Sequence, residues 1–460
     1  MAAMLRCISP IDGSVYAERP AMPLSDARAA VARARAAQPA WGALPLDERI
    51  RLVLAGVAAV GAMNDVIVPE LAWQMGRPVR YGGEFRGFEE RATHMASIAA
   101  VALAPIEVED SAAFTRRIVR EPHGVVLVVA PWNYPYMTAI NTVAPALIAG
   151  NTVVLKHATQ TLLVGERMAE AFHAAGVPTD VFQNLFLDHE TTSGLIGEGA
   201  FDFLNFTGSV AGGEAMERAA VGTFTPMGLE LGGKDPGYVL EDALLDTAVD
   251  VLMDGAMYNA GQCCCGIERI YVHERLYDDF VERAVAWAHS LVLGDPRDEA
   301  TTIGPMAHRR FAEVVRAHID EAVSMGATAH IERMATDDGG AYLTPQVLTG
   351  VDHRMQVMRE ESFGPVVGIM PVRDDDEAIA LMNDSPYGLT ASLWTQDMDR
   401  AARLAPRIET GTVFMNRADY LDPGLCWTGC KATGRGGSLS VIGFHNLTRP
   451  KSLHFKRLPA

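Results

Sequence analysis

Short apolar runs alternate along this chain with longer segments of helical spacing, and turns rich in glycine and proline separate them. Val125 to Ala130 is an unbroken apolar run, entered through Pro122 and Gly124 and ended by Pro131. Its length and its valines predict a buried strand. Trp132 and Asn133 then fall just past the C-terminal end of that strand. Asn151 to Lys156 repeats the pattern after the Ala149-Gly150 turn, with Lys156 at its end. Leu163 to Ala175 has helical spacing: Val164, Met168, Ala171 and Phe172 share one face, and Gly176 and Pro178 close it. The alanine-rich segment Ser25 to Ala37 predicts another helix, with Ser25 as its cap. Phe203 to Phe206 predicts a third strand, which runs into Thr207-Gly208-Ser209 and Gly212-Gly213. A strand, a glycine turn and a helix start present free N–H groups and a helix dipole to an anion. Alternating strands and helices predict an α/β fold with a largely parallel sheet.

Length and charge narrow the class. The 460 residues are 49% hydrophobic and 21% charged, enough for two or three domains. A net charge of -18 disfavours nucleic acid and anionic membrane surfaces as partners. No run of about twenty apolar residues predicts a membrane span. Met1 to Ser9 lacks the basic end and apolar core of a secretory signal. Six cysteines without framework spacing fit a reducing cytoplasm, the expected location.

Half of those cysteines stand in one row, Asn259-Ala260-Gly261-Gln262-Cys263-Cys264-Cys265. Neighbouring thiols bridge one another poorly, and this row lacks the two-residue gap that closes on zinc. No metal site is expected, because the histidines, His157 and His173 among them, have no ligand spacing either. A thiol in a glycine-flexed loop suits a nucleophile, and a small buried apolar cluster is the plainer reading. Other segments supply complementary chemistry. Asn133 offers an amide that can stabilise an oxyanion. Glu230, in Leu229-Glu230-Leu231-Gly232-Gly233-Lys234, offers a carboxylate that can activate a thiol or a water. Glu361, in Glu360-Glu361-Ser362-Phe363-Gly364-Pro365, can accept two hydroxyls of a ribose.

These segments resemble, in order and over nearly the whole chain, the aldehyde dehydrogenase superfamily of the NAD(P)-dependent, non-phosphorylating kind. The likeness begins at Ser9-Pro10-Ile11-Asp12-Gly13. It continues through Ala130-Pro131-Trp132-Asn133-Tyr134-Pro135, Gly150 to Lys156, Phe206 to Ser209, the Glu230 segment, Gly261 to Cys264 and Glu361 to Val366. Later parallels are Asn383 with Tyr387-Gly388-Leu389, then Asn416 and Gly434-Arg435-Gly436.

The resemblance implies a Rossmann-like cofactor domain (1–103 and 123–231), an α/β catalytic domain (232–435) and a small β oligomerisation element (104–122 and 436–460). It implies a homodimer or homotetramer. It also implies oxidation of an aldehyde to the acid with NAD or NADP. In that reading Cys264 is the nucleophile, Glu230 the general base and Asn133 the oxyanion amide. Trp132, Lys156, Thr159, Gly208, Ser209, Gly213, Leu231, Glu361 and Phe363 hold the cofactor. Tyr134, Cys263, Cys265 and Trp427 line the substrate pocket, with Cys426 nearby. A base at Glu230 implies water rather than coenzyme A as the acyl acceptor.

Three departures bear on specificity. His157 replaces a common proline after the cofactor lysine. Thr159 stands where many NAD-specific members carry Glu, which implies use of both NAD and NADP. The late segment Cys426-Trp427-Thr428-Gly429-Cys430-Lys431 departs from the usual sequence, and Asp419 and Asp422 precede it. A mid-sized aldehyde, aromatic or amino-bearing, is expected, with Asp419 or Asp422 facing a cation. Two other classes compete: a cysteine-dependent esterase or hydrolase, for which Lys156 and Glu361 have no use, and a non-catalytic structural relative. Reduction of nicotinamide by a panel of aldehydes separates the three.

Overall fold

The computed structural model describes residues 3–337 and 339–458. The first two residues of the expected cofactor domain and the last two of the expected oligomerisation element lie outside them. Two mostly parallel sheets organise the chain. The first has six strands in the order Gly434–Arg435, Met227–Glu230, Phe203–Thr207, Val125–Ala130, Thr152–His157 and Phe182–Asn184. All its pairings are parallel except that of Gly434–Arg435 with Leu229 and Glu230. The chain thus returns to this sheet near its end.

Val125 to Ala130 is a strand, as its apolar run predicts, and every residue in it is buried. Strands covered on both faces carry no polar alternation. The predicted helix is found at Leu162–Ala174, with Val164, Met168, Ala171 and Phe172 buried. The N-terminal helix spans Leu24–Gly42 and corrects one expectation. Pro23 occupies the cap, and the Ser25 hydroxyl inside the first turn donates to Asp26 instead. Proline suits a helix entry because it has no N–H to leave unpaired.

The second sheet runs Thr328–Ala329, Gln346–Thr349, Val366–Val372, Ile267–His273, Asp235–Val239, Thr390–Trp394 and Thr412–Met415. A third, antiparallel sheet joins Ile106–Asp110, Phe114–Pro122 and Thr448–Lys456. It projects several apolar side chains into solvent, with Ile106, Val108 and Phe455 each more than half exposed. No single described helix is long and apolar enough to cross a membrane, and the one bent pair that passes by composition breaks by 68° at residues 61–64.

A buried ion pair links the first sheet to the second. Lys234, just after the Glu230 strand, pairs with Glu268 at the start of Ile267–His273. Glu268 also accepts the N–H groups of Ser362 (2.8 Å) and Phe363 (2.9 Å), and Lys234 donates to the Ser362 hydroxyl (3.1 Å). Burial pushes the Lys234 ammonium down, and the Glu268 charge opposes that push. Removing one partner strands the other charge in the interior, at a cost of about 3–5 kcal/mol. Glu268→Ala should lose stability of that order in urea unfolding, whereas a surface change such as Glu48→Ala should lose less than about 1 kcal/mol. Equal losses would mean that the buried pair does not hold the sheets together.

Candidate active site

Four chain segments converge between the two sheets: those of Asn133 and Glu230 at the carboxyl ends of first-sheet strands, and those of Cys264 and Glu361 leading into the amino ends of Ile267–His273 and Val366–Val372 in the second. In the first sheet the crevice opens between Val125–Ala130 and Phe203–Thr207, where the strand order reverses. Ligands of open α/β sheets bind at such a switch point. Trp132 and Asn133 follow one of these strands, and Gly208 and Ser209 follow the other.

The Cys264 loop has an unusual backbone. Asn259, Ala260 and Gly261 are all left-handed, at φ 55°, 55° and 68°. For an alanine that conformation costs about 1–2 kcal/mol, so the surroundings must enforce it. Part of the enforcement is close packing: a Cβ on Gly261 would stand 2.2 Å from the Gly364 carbonyl oxygen. The bare glycine lets the Cys264 loop lie against the segment that carries Glu361. The Gln262 side chain pins the loop further, donating to Asn259 (2.9 Å) and accepting from Ala307 (2.8 Å).

Three thiols cluster at the tip, with their sulfurs all within 4.8 Å of one another. Cys263 and Cys265 are buried, and Cys264 is half-buried. Both flanking thiols donate to Asp419 Oδ1, at 2.9 and 3.0 Å. The flanking thiols lower the Cys264 thiol from its ordinary range, as do backbone N–H groups, against burial, which raises it. Cys263 and Cys265 are pushed the other way, chiefly by their hydrogen bonds within the cluster.

Glu230 ends its strand opposite Thr207, whose hydroxyl donates to it at 3.2 Å. Burial pushes its carboxyl up to about 7, while the nearby Ser438 hydroxyl and the Thr207 hydrogen bond hold it down. Cys264, Glu230, Leu231, Tyr134, Cys263, Cys265 and Trp427 all line one cavity of about 280 Å³. Asp419 lines it too. Asp422 does not: it is exposed, and its carboxylate accepts the N–H of Gly424. Cys426 likewise lies outside this lining and packs against Gly437. A second cavity of the same volume lies behind Asn141 and holds none of the candidate groups.

Asn133 is buried and is tied to the Cys264 loop through its backbone: its carbonyl accepts from Asn259 Nδ2 (3.1 Å) and Arg77 (2.7 Å). Its side-chain amide makes no hydrogen bond within the described residues, so its donors are free. Arg77 pairs with buried Glu84, which accepts the N–H groups of Tyr136 (2.9 Å) and Met137 (2.7 Å). The Arg77 guanidinium also lies over the Tyr134 ring, 5.0 Å from its centre. Arg77, Glu84 and Asn259 thus set the Asn133 turn. Sequence reasoning missed the first two, which lie in helical or loop segments with no motif around them.

The cofactor candidates fall along the same crevice. Lys156, next to last in its strand, is buried, its ammonium makes no hydrogen bond, and burial lowers it to about 8, opposed by the Asp188 charge. Thr159 opens the short turn that follows, and its hydroxyl also makes no hydrogen bond. Ser209 caps the helix Val210–Ala220, accepting the Gly212 N–H at 3.2 Å. The Gly208 N–H donates to the Glu230 carbonyl (3.1 Å), and Gly213 lies against the Leu231 side chain. Glu361 accepts the Gly233 N–H at 3.0 Å, and burial, then the nearby Glu268 charge, pushes it up to about 8. Trp132 stacks on Phe311 at 4.9 Å and meets Phe363 edge-on at 5.5 Å. An orphan buried ammonium, an open helix N-terminus and a carboxyl with one spare oxygen fit the ribose hydroxyls and phosphates of a dinucleotide.

The sequence pattern of the aldehyde dehydrogenase family matches residues 2–453. Succinate-semialdehyde dehydrogenase [NADP(+)] of Deinococcus radiodurans is 33% identical, over 96% of this chain and 93% of that protein. Among solved structures, the NADP-dependent glyceraldehyde-3-phosphate dehydrogenase of Bacillus halodurans C-125, complexed with NADP, superposes with a TM-score of 0.93. It is 31% identical, covering 99% of this chain and 96% of that one. PnpE in complex with nicotinamide adenine dinucleotide gives a TM-score of 0.92 at 31% identity, over 98% and 94% of the two chains. The chain belongs to the aldehyde dehydrogenase family. It is an NAD(P)-dependent oxidoreductase that converts aldehydes to acids. The esterase and the non-catalytic relative are thereby set aside.

Proposed function

We propose that Cys264 adds to the substrate aldehyde and that Glu230 activates the water that later releases the acid. The single observation that carries this reading is the shared cavity: Cys264, among thiols that keep their protons, faces it together with a carboxyl poised near 7. The Cys264 sulfur bonds to the carbonyl carbon, and the oxygen becomes an oxyanion. The free Asn133 amide donates to that oxygen. When bound, the nicotinamide accepts the hydride that leaves the carbon, and Cys264 is left as a thioester. Glu230 takes a proton from water, the water oxygen attacks the thioester carbon, and the C–S bond breaks to return the thiolate. Lys156, Ser209 and Glu361 are proposed to hold the dinucleotide, and Trp132 and Phe363 to pack beside it.

Either NAD or NADP suits the adenosine end. The neutral Thr159 hydroxyl can bond a ribose, yet it does not repel a 2′-phosphate as a carboxylate does. Asp188, the acid whose charge reaches Lys156, is engaged in capping the helix His189–Gly197 through the Thr191 N–H at 2.7 Å. The three-stranded sheet is proposed as the contact of a homodimer or homotetramer, supported by its exposed Ile106, Val108 and Phe455. A monomer by light scattering would count against that assignment. The cytoplasm is the proposed location, consistent with free thiols throughout.

Cys264→Ala should abolish aldehyde oxidation, while Cys263→Ala and Cys265→Ala keep measurable turnover. Glu230→Gln should keep the first burst of reduced nicotinamide but slow steady turnover roughly 10²–10⁴-fold. In the unaltered enzyme the hydrolytic step should rise as pH passes through about 7, because the base must be ionised. Rapid mixing at several pH values reads both phases. A Cys264→Ala enzyme with full activity, or Glu230→Gln with an unchanged steady rate and pH profile, would sink the assignment.

With one good aldehyde, kcat/KM for the two cofactors should differ by less than about a hundredfold, and Thr159→Glu should move the preference toward NAD. Thousandfold discrimination against NADP would show that Thr159 does not govern the choice.

A further inference from the structure

The cavity above Cys264 is acidic along its length. Glu90 and Asp254 are exposed where they line it, and Asp419 lies deeper, beside the thiols. Among the described residues none of these three carboxylates forms an ion pair. The Glu90 carboxylate accepts only the Tyr420 hydroxyl, at 3.0 Å, and the Asp254 carboxylate has no hydrogen bond. Asp419 uses Oδ1 for both flanking thiols and leaves Oδ2 without a partner. One cation, Arg91, lines the cavity, and its Nη1 is engaged by the Met137 carbonyl (2.9 Å) and Asn141 Oδ1 (3.3 Å). Four aromatic rings complete the lining, those of Tyr134, Tyr258, Tyr420 and Trp427.

Unpaired carboxylates among aromatic rings form an environment that favours an organic cation. The ring faces attract it through their quadrupoles, and the carboxylates attract it as charges in a partly desolvated space. The same carboxylates disfavour an anion seated beside Asp419. The acids nearer solvent add steering, because a cleft of one sign raises the local concentration of the opposite charge.

We propose that this cavity selects aldehydes that carry a protonated or quaternary amine. Asp419 holds the cation on the inner side, and Asp254 and Glu90 draw it in. The inference rests on the aldehyde-oxidising reading of Cys264 and names its substrate class. Because Asp419 touches the thiols that flank Cys264, a cation seated on it lies near the carbonyl carbon, which suits a short amino-aldehyde.

The test uses the full chain with saturating cofactor at neutral pH and three aldehydes: 3-aminopropanal, butanal and succinate semialdehyde. The kcat/KM for 3-aminopropanal should exceed that for butanal by about tenfold or more, mainly through KM, and that for succinate semialdehyde should be lowest. Added salt should shrink the advantage of the amine. Asp254→Asn and Glu90→Gln should each narrow the amine-to-butanal ratio several-fold, and Asp419→Asn should narrow it further. The first two variants leave the thiol cluster untouched, so the ratio stays readable if Asp419→Asn fails to fold. Equal or better use of butanal or succinate semialdehyde overturns the proposal and leaves the aldehyde-oxidising reading standing. Oxidation of none of the three overturns both.

Discussion

The site depends on one buried charge pair, Lys234 with Glu268. Three segments distant in sequence meet there. Lys234 follows the Glu230 strand by a few residues, Glu268 follows the thiol cluster by a few, and Glu268 receives the N–H groups of Ser362 and Phe363 beside Glu361. Any one contact of this kind is worth little after desolvation. Its consequence is geometric: the proposed base, nucleophile and ribose-binding carboxyl cannot shift independently, because each is a short step along the chain from the same pair. The left-handed turn at Asn259–Gly261, pressed on Gly364, supplies a second tie between two of these segments.

Asn133 is fixed by a separate device. Its turn is held from below by Arg77 and Glu84 and from the side by Asn259. These bonds use its carbonyl and the N–H groups after it, and so leave the side-chain amide free. A turn that satisfied itself through the Asn side chain, as asparagine turns often do, would have spent the amide proposed to bind the oxyanion.

Much of the fold was legible from local pattern. The run Val125 to Ala130 and the face of Val164, Met168, Ala171 and Phe172 are set by burial of neighbouring residues, which periodicity records. The chemical groups were legible through resemblance, because their motifs survive as short words. What stayed hidden is held by partners far apart in the chain. Arg77 with Glu84, Lys234 with Glu268, and the return of Gly434–Arg435 to the first sheet leave no local signature. The cap at Leu24–Gly42 was misread for a different reason. Ser25 is a good cap by type, but Pro23 is already compatible with a helix start, and the turn begins there instead.

Three adjacent thiols raise the question of why one of them should react. The hydrogen bonds answer it without appeal to position in a motif. Burial raises the Asp419 carboxyl to about 6, so it is still mostly ionised at neutral pH and then offers only acceptors. The two sulfurs at 2.9 and 3.0 Å from it must therefore donate, and a thiol that donates keeps its proton. Cys263 and Cys265 are thereby held as thiols, while Cys264 has no such acceptor and is the one sulfur free to ionise. The same carboxylate lines the cavity proposed to take the substrate. In the proposed reading, selection of the reactive sulfur and recognition of the substrate are thus coupled through one side chain, and a change in the ionisation of Asp419 acts on both.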